Sequence, residues 1–432
     1  RMQVFDSHTT GMHWHRHKTG ARHYEGYKAL GKVMPVSVAI GGDPAYTYAA
    51  TAPMPDNMDE YLLAGFLRRK PVKLVKCITN DIYVPDDCDF VIEGYVDPSE
   101  PLAVEGDFGD HTGFYSLKDL YPRFHITAIT HRKDAVYPAT VVGIPPQEDA
   151  YISIATERIF LAPIRLVMQP EIVDMTMPRA GTSHNIAIIS INSRYLGQAT
   201  KVTQGMWSAG QMMFNKYLLL TPPKTNIRNS NELAALLRDC NPKSAVIRGE
   251  GIYDVLDHAT ATCGFGGKLA LDLTQSSDSH CASVDTDITL PQGVMMRTDL
   301  VDKWSTLLLF AENSCTVNLS DIATNEGVNC NFIALFDSRA EEFDAEDLLW
   351  IAAANTEPNR DIKLIGNTLT IDARVKIPGS DGAPARFPNV VTSLPEVIDS
   401  VDRRWSEYGL GEFIESPSVK YCKLLFSDKA EW

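Results

Sequence analysis

Glu105-Gly106-Asp107-Phe108-Gly109-Asp110-His111-Thr112-Gly113-Phe114-Tyr115 is the stretch around which the chain is organised. Its eleven residues hold three carboxylates, one imidazole and three glycines, too polar and too glycine-rich for a helix or strand interior. Glycine reaches positive φ without steric cost, so it lets a backbone turn sharply and approach a ligand closely. Carboxylates crowded on such a loop cannot all stay comfortably ionised, and at least one is expected to hold its proton more tightly. That is how a site obtains an acid or base that works near neutral pH. On composition alone the stretch suits a solvated turn with a bound cation equally well.

The rest of the chain sets the context. Its 432 residues suit two or three domains, and 44% hydrophobic with 22% charged residues is ordinary for a globular protein. A net charge of −15 argues against nonspecific binding to a phosphate backbone, which demands clustered Lys and Arg. No apolar run approaches a membrane span, and no signal-peptide pattern is visible. The eight cysteines (Cys77, Cys88, Cys240, Cys263, Cys281, Cys315, Cys330, Cys422) form no CxxC pair. They read as thiols in a reducing compartment, which makes a cytoplasmic location the expectation. The sequence opens on Arg1 without an initiator Met, and residues 2–5 already read as a strand, so a fragment or processed product is expected.

Read in order, residues 1–30 carry His8, His13, His15, His17 and His23. Residues 12–17 alternate like a strand that sets His13, His15 and His17 on one side, either to hold a divalent metal or to stand exposed on an edge. Strands are expected at 35–40, 73–78, 90–96, 124–130 and 136–142, and an amphipathic helix at 59–69. Residues 49–56, small residues and prolines, suit a loop against a flat ligand or a plain connector. So many short strands argue for a barrel or sandwich. From about residue 149 the pattern changes. Helices are expected at 150–167, 197–214, 231–239 and 394–408, with strands at 171–177, 186–191, 217–220 and 244–247, an α/β alternation. Residues 276–300 read as loop, the glycine-rich run at 264–268 lacks a Walker spacing, and no internal repeat is visible.

Several collinear segments resemble the UbiD family of decarboxylases that use prenylated FMN. They are Arg1-Met2-Gln3-Val4, Met12-His13-Trp14 through His17, Pro53-Met54-Pro55-Asp56 through Glu60, and Val75-Lys76-Cys77-Ile78-Thr79-Asn80-Asp81. Glu93-Gly94-Tyr95, the stretch from Glu105 to Tyr115, Pro145-Pro146-Gln147-Glu148 and Ile172-Val173-Asp174 follow. Met213-Phe214-Asn215-Lys216 and Gly266-Gly267-Lys268 complete the set, which spans residues 1–275 and is most similar to the longer bacterial members.

The resemblance implies a split β-barrel flavin-binding domain over 1–148 and an α/β C-terminal oligomerisation domain over 149–432. It implies a catalytic set of Arg1, Glu105 and Asp110. Asp110 would protonate the substrate carbon after CO₂ leaves, while Glu105 pairs with Arg1 and holds it against flavin and substrate carboxylate. Cofactor contacts fall on Arg1, His17, Ala50, Thr51, Pro53, Glu60 and Lys216, with Lys216 toward the phosphate and Ala50, Thr51 and Pro53 along the isoalloxazine. His17 and Glu60 match two ligands of a divalent metal, usually manganese, with potassium as a further ion. The third ligand, an asparagine, would precede Arg1 in an N-terminal α/β domain that this sequence does not show. Asp107 stands where the family usually has proline and adds a third negative charge, which should raise a neighbouring carboxyl's pKa.

The implied activity is non-oxidative decarboxylation of an aromatic or α,β-unsaturated acid, of the 3-polyprenyl-4-hydroxybenzoate or naphthoate type of quinone biosynthesis. A flavin prenyltransferase would supply the cofactor, and a homodimer or homohexamer is implied. Two alternatives are an FMN oxidoreductase on a split barrel, for which no GxGxxG follows a strand, and a non-catalytic oligomerising remnant. His111 either tunes Asp110 or makes a structural hydrogen bond. His13 and His15 are not ligands once His17 is assigned, and Cys77, Cys88, Trp207 and residues 212–214 are expected in the core.

Overall fold

The computed structural model describes residues 2–15, 18–208, 210–275, 281–380 and 382–431. Arg1 and His17 therefore lie outside the described residues. The chain divides into two compact units, Arg1–Phe108 with Ser116–Val141, and Gly109–Tyr115 with Val142–Trp432. The opening stretch is thus shared: Glu105 to Phe108 belong to the smaller unit and Gly109–Tyr115 to the larger.

The smaller unit is built on an antiparallel sheet of β1 (Thr9–Gly11), β2 (Met34–Ile40), β3 (Phe90–Val96) and β4 (Arg123–His131), in the order β1-β4-β3-β2. Tyr24, Met34, Ile92, Val96 and Phe124 form its core, with helix α1 (Thr19–Ala29) contributing Tyr24. Helix α2 (Pro44–Thr51) starts at Asp43, whose side chain accepts from Ala45 N. Helix α3 (Glu60–Arg68) starts at Asp59, which accepts from Tyr61 N, and ends on Arg69 in the left-handed region.

The sheet of this unit is open, with no closed barrel among the described residues. Four expectations for local segments of this unit are corrected. Residues 2–5 contribute a single bridge, Val4 to Thr10, and residues 12–15 follow β1 as irregular chain. Residues 49–51 are the last turn of α2, because Asp43 and Pro44 start a helix that small residues extend at little cost. Residues 136–142 carry no strand: Pro138 removes a ladder donor from the middle of the run, and β-propensity without a paired neighbour forms no sheet.

The larger unit holds two five-stranded sheets. The first comprises β5 (Ile172–Thr176), β6 (Ile186–Ile191), β7 (Tyr217–Thr221), β8 (Val246–Ile252) and β9 (Phe265–Asp272), ordered β5-β6-β7-β9-β8. The second comprises β10 (Met295–Arg297), β11 (Thr306–Ala311), β12 (Phe332–Asp337), β13 (Ile362–Ile365) and β14 (Thr368–Asp372), ordered β10-β11-β12-β14-β13. In each, the three middle strands run parallel and both outer strands antiparallel. The parallel strands β6 and β12 are buried along their whole length, which explains their unbroken apolar runs. The unit therefore repeats one topology, although the sequence shows no repeat: strand order is set by burial pattern and turns, not residue identity.

Around the sheets lie α4 (Glu148–Pro163), α5 (Gln198–Met206), α6 (Ser230–Arg238), α7 (Ala345–Asn355) and α8 (Pro395–Arg403). The helix expected over 197–214 is shorter, ending at Met206 and followed by a 3₁₀ turn, Gly210–Phe214. Residues 276–300 are not all loop, since Ser283–Val284 and β10 pair with neighbours; of this segment, 276–280 lie outside the described residues. Cys77, Cys88, Met212 and Phe214 are buried, as expected, and Trp207 packs against the core of the first sheet.

The two halves of the larger unit interlock. Asn331 donates from its amide to the carbonyls of Leu237 at 2.9 Å, Arg238 at 2.7 Å and Cys240 at 2.9 Å, at the end of α6. Asn331→Ala is expected to lower unfolding stability by about 3 kcal/mol, since buried carbonyls lose their donor, as read from guanidinium denaturation against the unsubstituted chain.

Candidate active site

In the smaller unit Glu105 is 2% exposed. Its Oε1 lies 3.4 Å from His13 Nδ1. The His13 ring stacks on Tyr121 at 4.0 Å and stands 5.2 Å from His15. Glu105 Oε2, His13 Nε2 and Thr10 Oγ1 are buried with no hydrogen-bond partner among the described residues. Gly11 is needed beside them, because a Cβ there would meet Glu105 Oε2 at 2.2 Å. Asp107 is answered locally: its Oδ1 accepts from Lys118 N at 3.1 Å and its Oδ2 lies 3.5 Å from Lys118 Nζ. The expected third negative charge on the loop is therefore paired.

The remaining expected contacts of this unit lie on two helices and the chain between them. Ala50 and Thr51 are exposed on the last turn of α2, where Thr51 Oγ1 donates to Tyr48 O at 2.8 Å. Pro53 is half-buried, and Glu60 is the partly exposed first residue of α3. No three His, Cys, Asp or Glu side chains converge among the described residues. Arg1 and His17, expected beside Glu105 and Glu60, lie outside them.

In the larger unit Asp110 is 6% exposed. Its Oδ1 accepts from the His111 amide at 2.6 Å and lies 2.7 Å from His111 Nδ1. The His111 ring meets His184 edge-on at 5.7 Å, and His184 Nε2 is buried without a partner among the described residues. Burial by itself pulls His111 down, but the hydrogen bond to Asp110 and the charges of Asp149, Asp110 and Asp254 outweigh it. The imidazole is lifted from 6.5 to about 9. His184 moves the opposite way, depressed chiefly by burial. Glu148 is raised by burial and by the charge of Asp149. The 2.7 Å contact serves both readings left open for His111: it is a hydrogen bond between side chains, and Asp110 is one of the groups that lift the imidazole.

A polar floor lies in the same unit. Lys216 is 0% exposed. Its Nζ stands 2.6 Å from Asp257 and 3.1 Å from the Thr356 carbonyl. Lys216, expected toward a phosphate, thus has no exposed surface to offer a ligand in this conformation. Lys268 donates to the carbonyls of Met213 at 2.8 Å and Asn215 at 2.6 Å, and burial brings it down to about 7. The Tyr253 ring faces both ammonium groups, at 5.5 and 5.4 Å. Burial likewise depresses His258 to about 4, beside Asn355 at 3.2 Å. Sequence reasoning missed His184, Asp254, Asp257 and His258. Asp254, Asp257 and His258 fall within five positions in no recognisable motif, His184 stands far from them, and only the fold gathers the four.

The larger unit is thus an α/β body that holds a buried carboxyl, Asp110, against the partly exposed imidazole of His111. Comparison with known proteins supplies the family. The UbiD model, described as "3-octaprenyl-4-hydroxybenzoate carboxy-lyase Rift-related domain", matches residues 1–145, and the corresponding C-terminal domain model matches residues 150–273. The chain belongs to the UbiD family of carboxy-lyases. It is 46% identical to an uncharacterized protein of Aquifex aeolicus over 63% of this chain and 56% of the relative. It is 47% identical to one of Archaeoglobus fulgidus over 64% of this chain and 57% of the relative. The chain thus spans about half the length of the curated relatives it matches.

Among solved structures it resembles vanillic acid decarboxylase of Sedimentibacter hydroxybenzoicus, with TM-score 0.59 and 27% identity over 67% of this chain and 61% of the other. It also resembles a UbiD-class enzyme of Pelotomaculum thermopropionicum in complex with FMN, with TM-score 0.56 and 26% identity over 64% of this chain and 61% of the other.

Two outcomes follow from the geometry. His111 in the folded chain sits at about 9, above its ordinary 6.5. Its stabilisation is therefore complete below about pH 6.5 and lost as pH rises through about 9. Urea midpoints measured from pH 6.5 to 9.5 should fall in the unsubstituted chain and stay flatter in His111→Gln. Asp257→Ala strands the Lys216 ammonium and is expected to cost about 3–5 kcal/mol, again read from denaturation.

Proposed function

We propose that this chain is the flavin-binding and acid-bearing part of a UbiD-class decarboxylase acting on an aromatic or α,β-unsaturated carboxylic acid. The observation that carries the reading is the Asp110–His111 pair, a buried carboxyl against a partly exposed imidazole, because loss of CO₂ from an sp² carbon must be followed by delivery of one proton, and such a pair can hold one. Prenylated FMN, when bound, supplies the electron sink for the departing CO₂. The pair's one proton passes through Asp110 to the substrate carbon, leaving a carboxylate and a neutral imidazole that take up a new proton from solvent. Glu105, buried with its acceptor Oε2 unpartnered among the described residues, is a carboxylate that an arginine fork would satisfy, and Arg1 is the residue assigned to it. That fork orients the substrate carboxylate and the flavin.

On the same reading, residues 1–148 form a split-barrel flavin domain and residues 149–432 the oligomerisation domain of a homodimer or homohexamer. Ala50, Thr51 and Pro53 line the isoalloxazine, and His17 and Glu60 hold manganese at the phosphate. Lys216 supports that end through Asp257 and Thr356, not by direct contact. The resemblance to a vanillic acid decarboxylase supports phenolic acids as substrates. A hydroxybenzoate- or naphthoate-type acid of quinone biosynthesis, a flavin prenyltransferase as cofactor supplier and a cytoplasmic location complete the proposal. No helix of the described residues is long and apolar enough to cross a membrane.

The test is co-expression with a flavin prenyltransferase, then CO₂ release from vanillate, 4-hydroxybenzoate and 1,4-dihydroxy-2-naphthoate. Asp110→Asn is expected to lower turnover about 10²–10⁴-fold with the flavin absorbance retained. Unaltered turnover in that variant would remove Asp110 from the reaction.

A further inference from the structure

Residues 274–432 lie beyond both family models, yet they hold the segment that carries Asp110. The Trp350 indole, 2% exposed on α7, donates from Nε1 to the Thr112 carbonyl at 2.8 Å. Phe114 bridges Val390, Tyr115 N donates to Asn389 O at 3.0 Å, and Val391 N donates to Gly113 O at 2.9 Å. Gly113 N in turn donates to the Asp110 carbonyl at 3.1 Å, so the anchoring reaches the acid's own backbone. Gly113 adopts φ +86°, and a Cβ there would meet the Trp350 ring at 2.6 Å. Phe114 lies 5.1 Å from Trp350 in a core whose other members come mostly from the second sheet and α7. Asp110 Oδ1 itself accepts from the His111 amide at 2.6 Å and lies 2.7 Å from His111 Nδ1, so the acid and the imidazole share the backbone that this anchoring holds.

We infer that Trp350 is the positioning residue of the acid loop, and that the second α/β sheet serves as the mount that aims the Asp110–His111 pair. The inference rests on the reading of Asp110 as the proton donor. Loss of the indole N–H leaves the Thr112 carbonyl buried without its donor and loosens a turn that Gly113 alone does not hold.

The test uses the full chain and Trp350→Phe, which keeps an aromatic ring and removes the donor. By hydrogen exchange with mass spectrometry, amides at residues 111–115 are expected to exchange at least about tenfold faster, those of β6 being unchanged. By NMR of ring-labelled histidine, the His111 midpoint is expected to move down by at least about 0.5 in pH. The groups facing that ring, Asp110, Asp149, Asp254, Glu148 and His184, are all retained in the variant. Unchanged exchange together with an unchanged midpoint overturns the inference.

Should the variant not fold, exchange of the unsubstituted chain in rising denaturant decides. Loop amides that open together with β12 and β14 support the mount, and loop amides that open at lower denaturant than those strands overturn it. Neither readout needs a substrate. A chain that fails to release CO₂ while passing both tests would sink the decarboxylase reading and leave the mount intact.

Discussion

A buried ammonium must meet opposite charge or a full set of carbonyls, since its desolvation costs several kcal/mol otherwise. In the larger unit two lysines, Lys216 and Lys268, impose that requirement together. Asp257 answers the first, and the carbonyls of Met213 and Asn215 answer the second. The remaining partner of Lys216 is Thr356, which follows α7 in the second half of the unit. The adjacent Glu357 accepts from Gly267 N on β9. Shedding the second half would therefore cost the first sheet one carbonyl of the Lys216 ammonium and the acceptor of Gly267 N.

The reverse dependence has the same form. Leu269 N donates to Lys216 O and Leu369 N to Asn331 O, so Lys216 and Asn331 hold equivalent places in the two sheets. Lys216 reaches beyond the end of α7, and Asn331 reaches the end of α6. Each sheet satisfies the polar end of a helix that belongs to the other half. Such reciprocal ties make one cooperative body from two copies of one topology, and a rigid body is what a segment as glycine-rich as 106–113 needs behind it.

Much of the fold was legible because local and tertiary preferences agreed. Phe90–Val96 and Ile186–Ile191 were readable to the residue, since alternation or an unbroken β-branched run leaves one sensible partner face. Helix α3 announces itself through Asp59, Glu60 and Arg68. Residues 136–142 carry similar apolar residues but no strand, and the run from 197 to 214 breaks at Met206, because pairing and packing decide these cases. Glu105 and Asp110 stood out by composition. His184, Asp254 and Asp257 did not, as the meaning of each depends on groups remote in the chain: His111 stands 73 positions from His184, and Lys216 stands 41 from Asp257.

The sequence by itself determined the family, the carboxylate and imidazole of the acid loop, and the change from mainly β to α/β pattern near residue 149. These depend on residue identity and short spacing, which a linear chain displays. Tertiary structure alone decided that His111 is the strongly raised group of the loop, that Lys216 is closed off by Asp257, and that Trp350 and Val390 hold the segment next to Asp110. Burial, field and hydrogen-bond supply at a side chain are sums over neighbours in space, and a sequence does not state who those neighbours are.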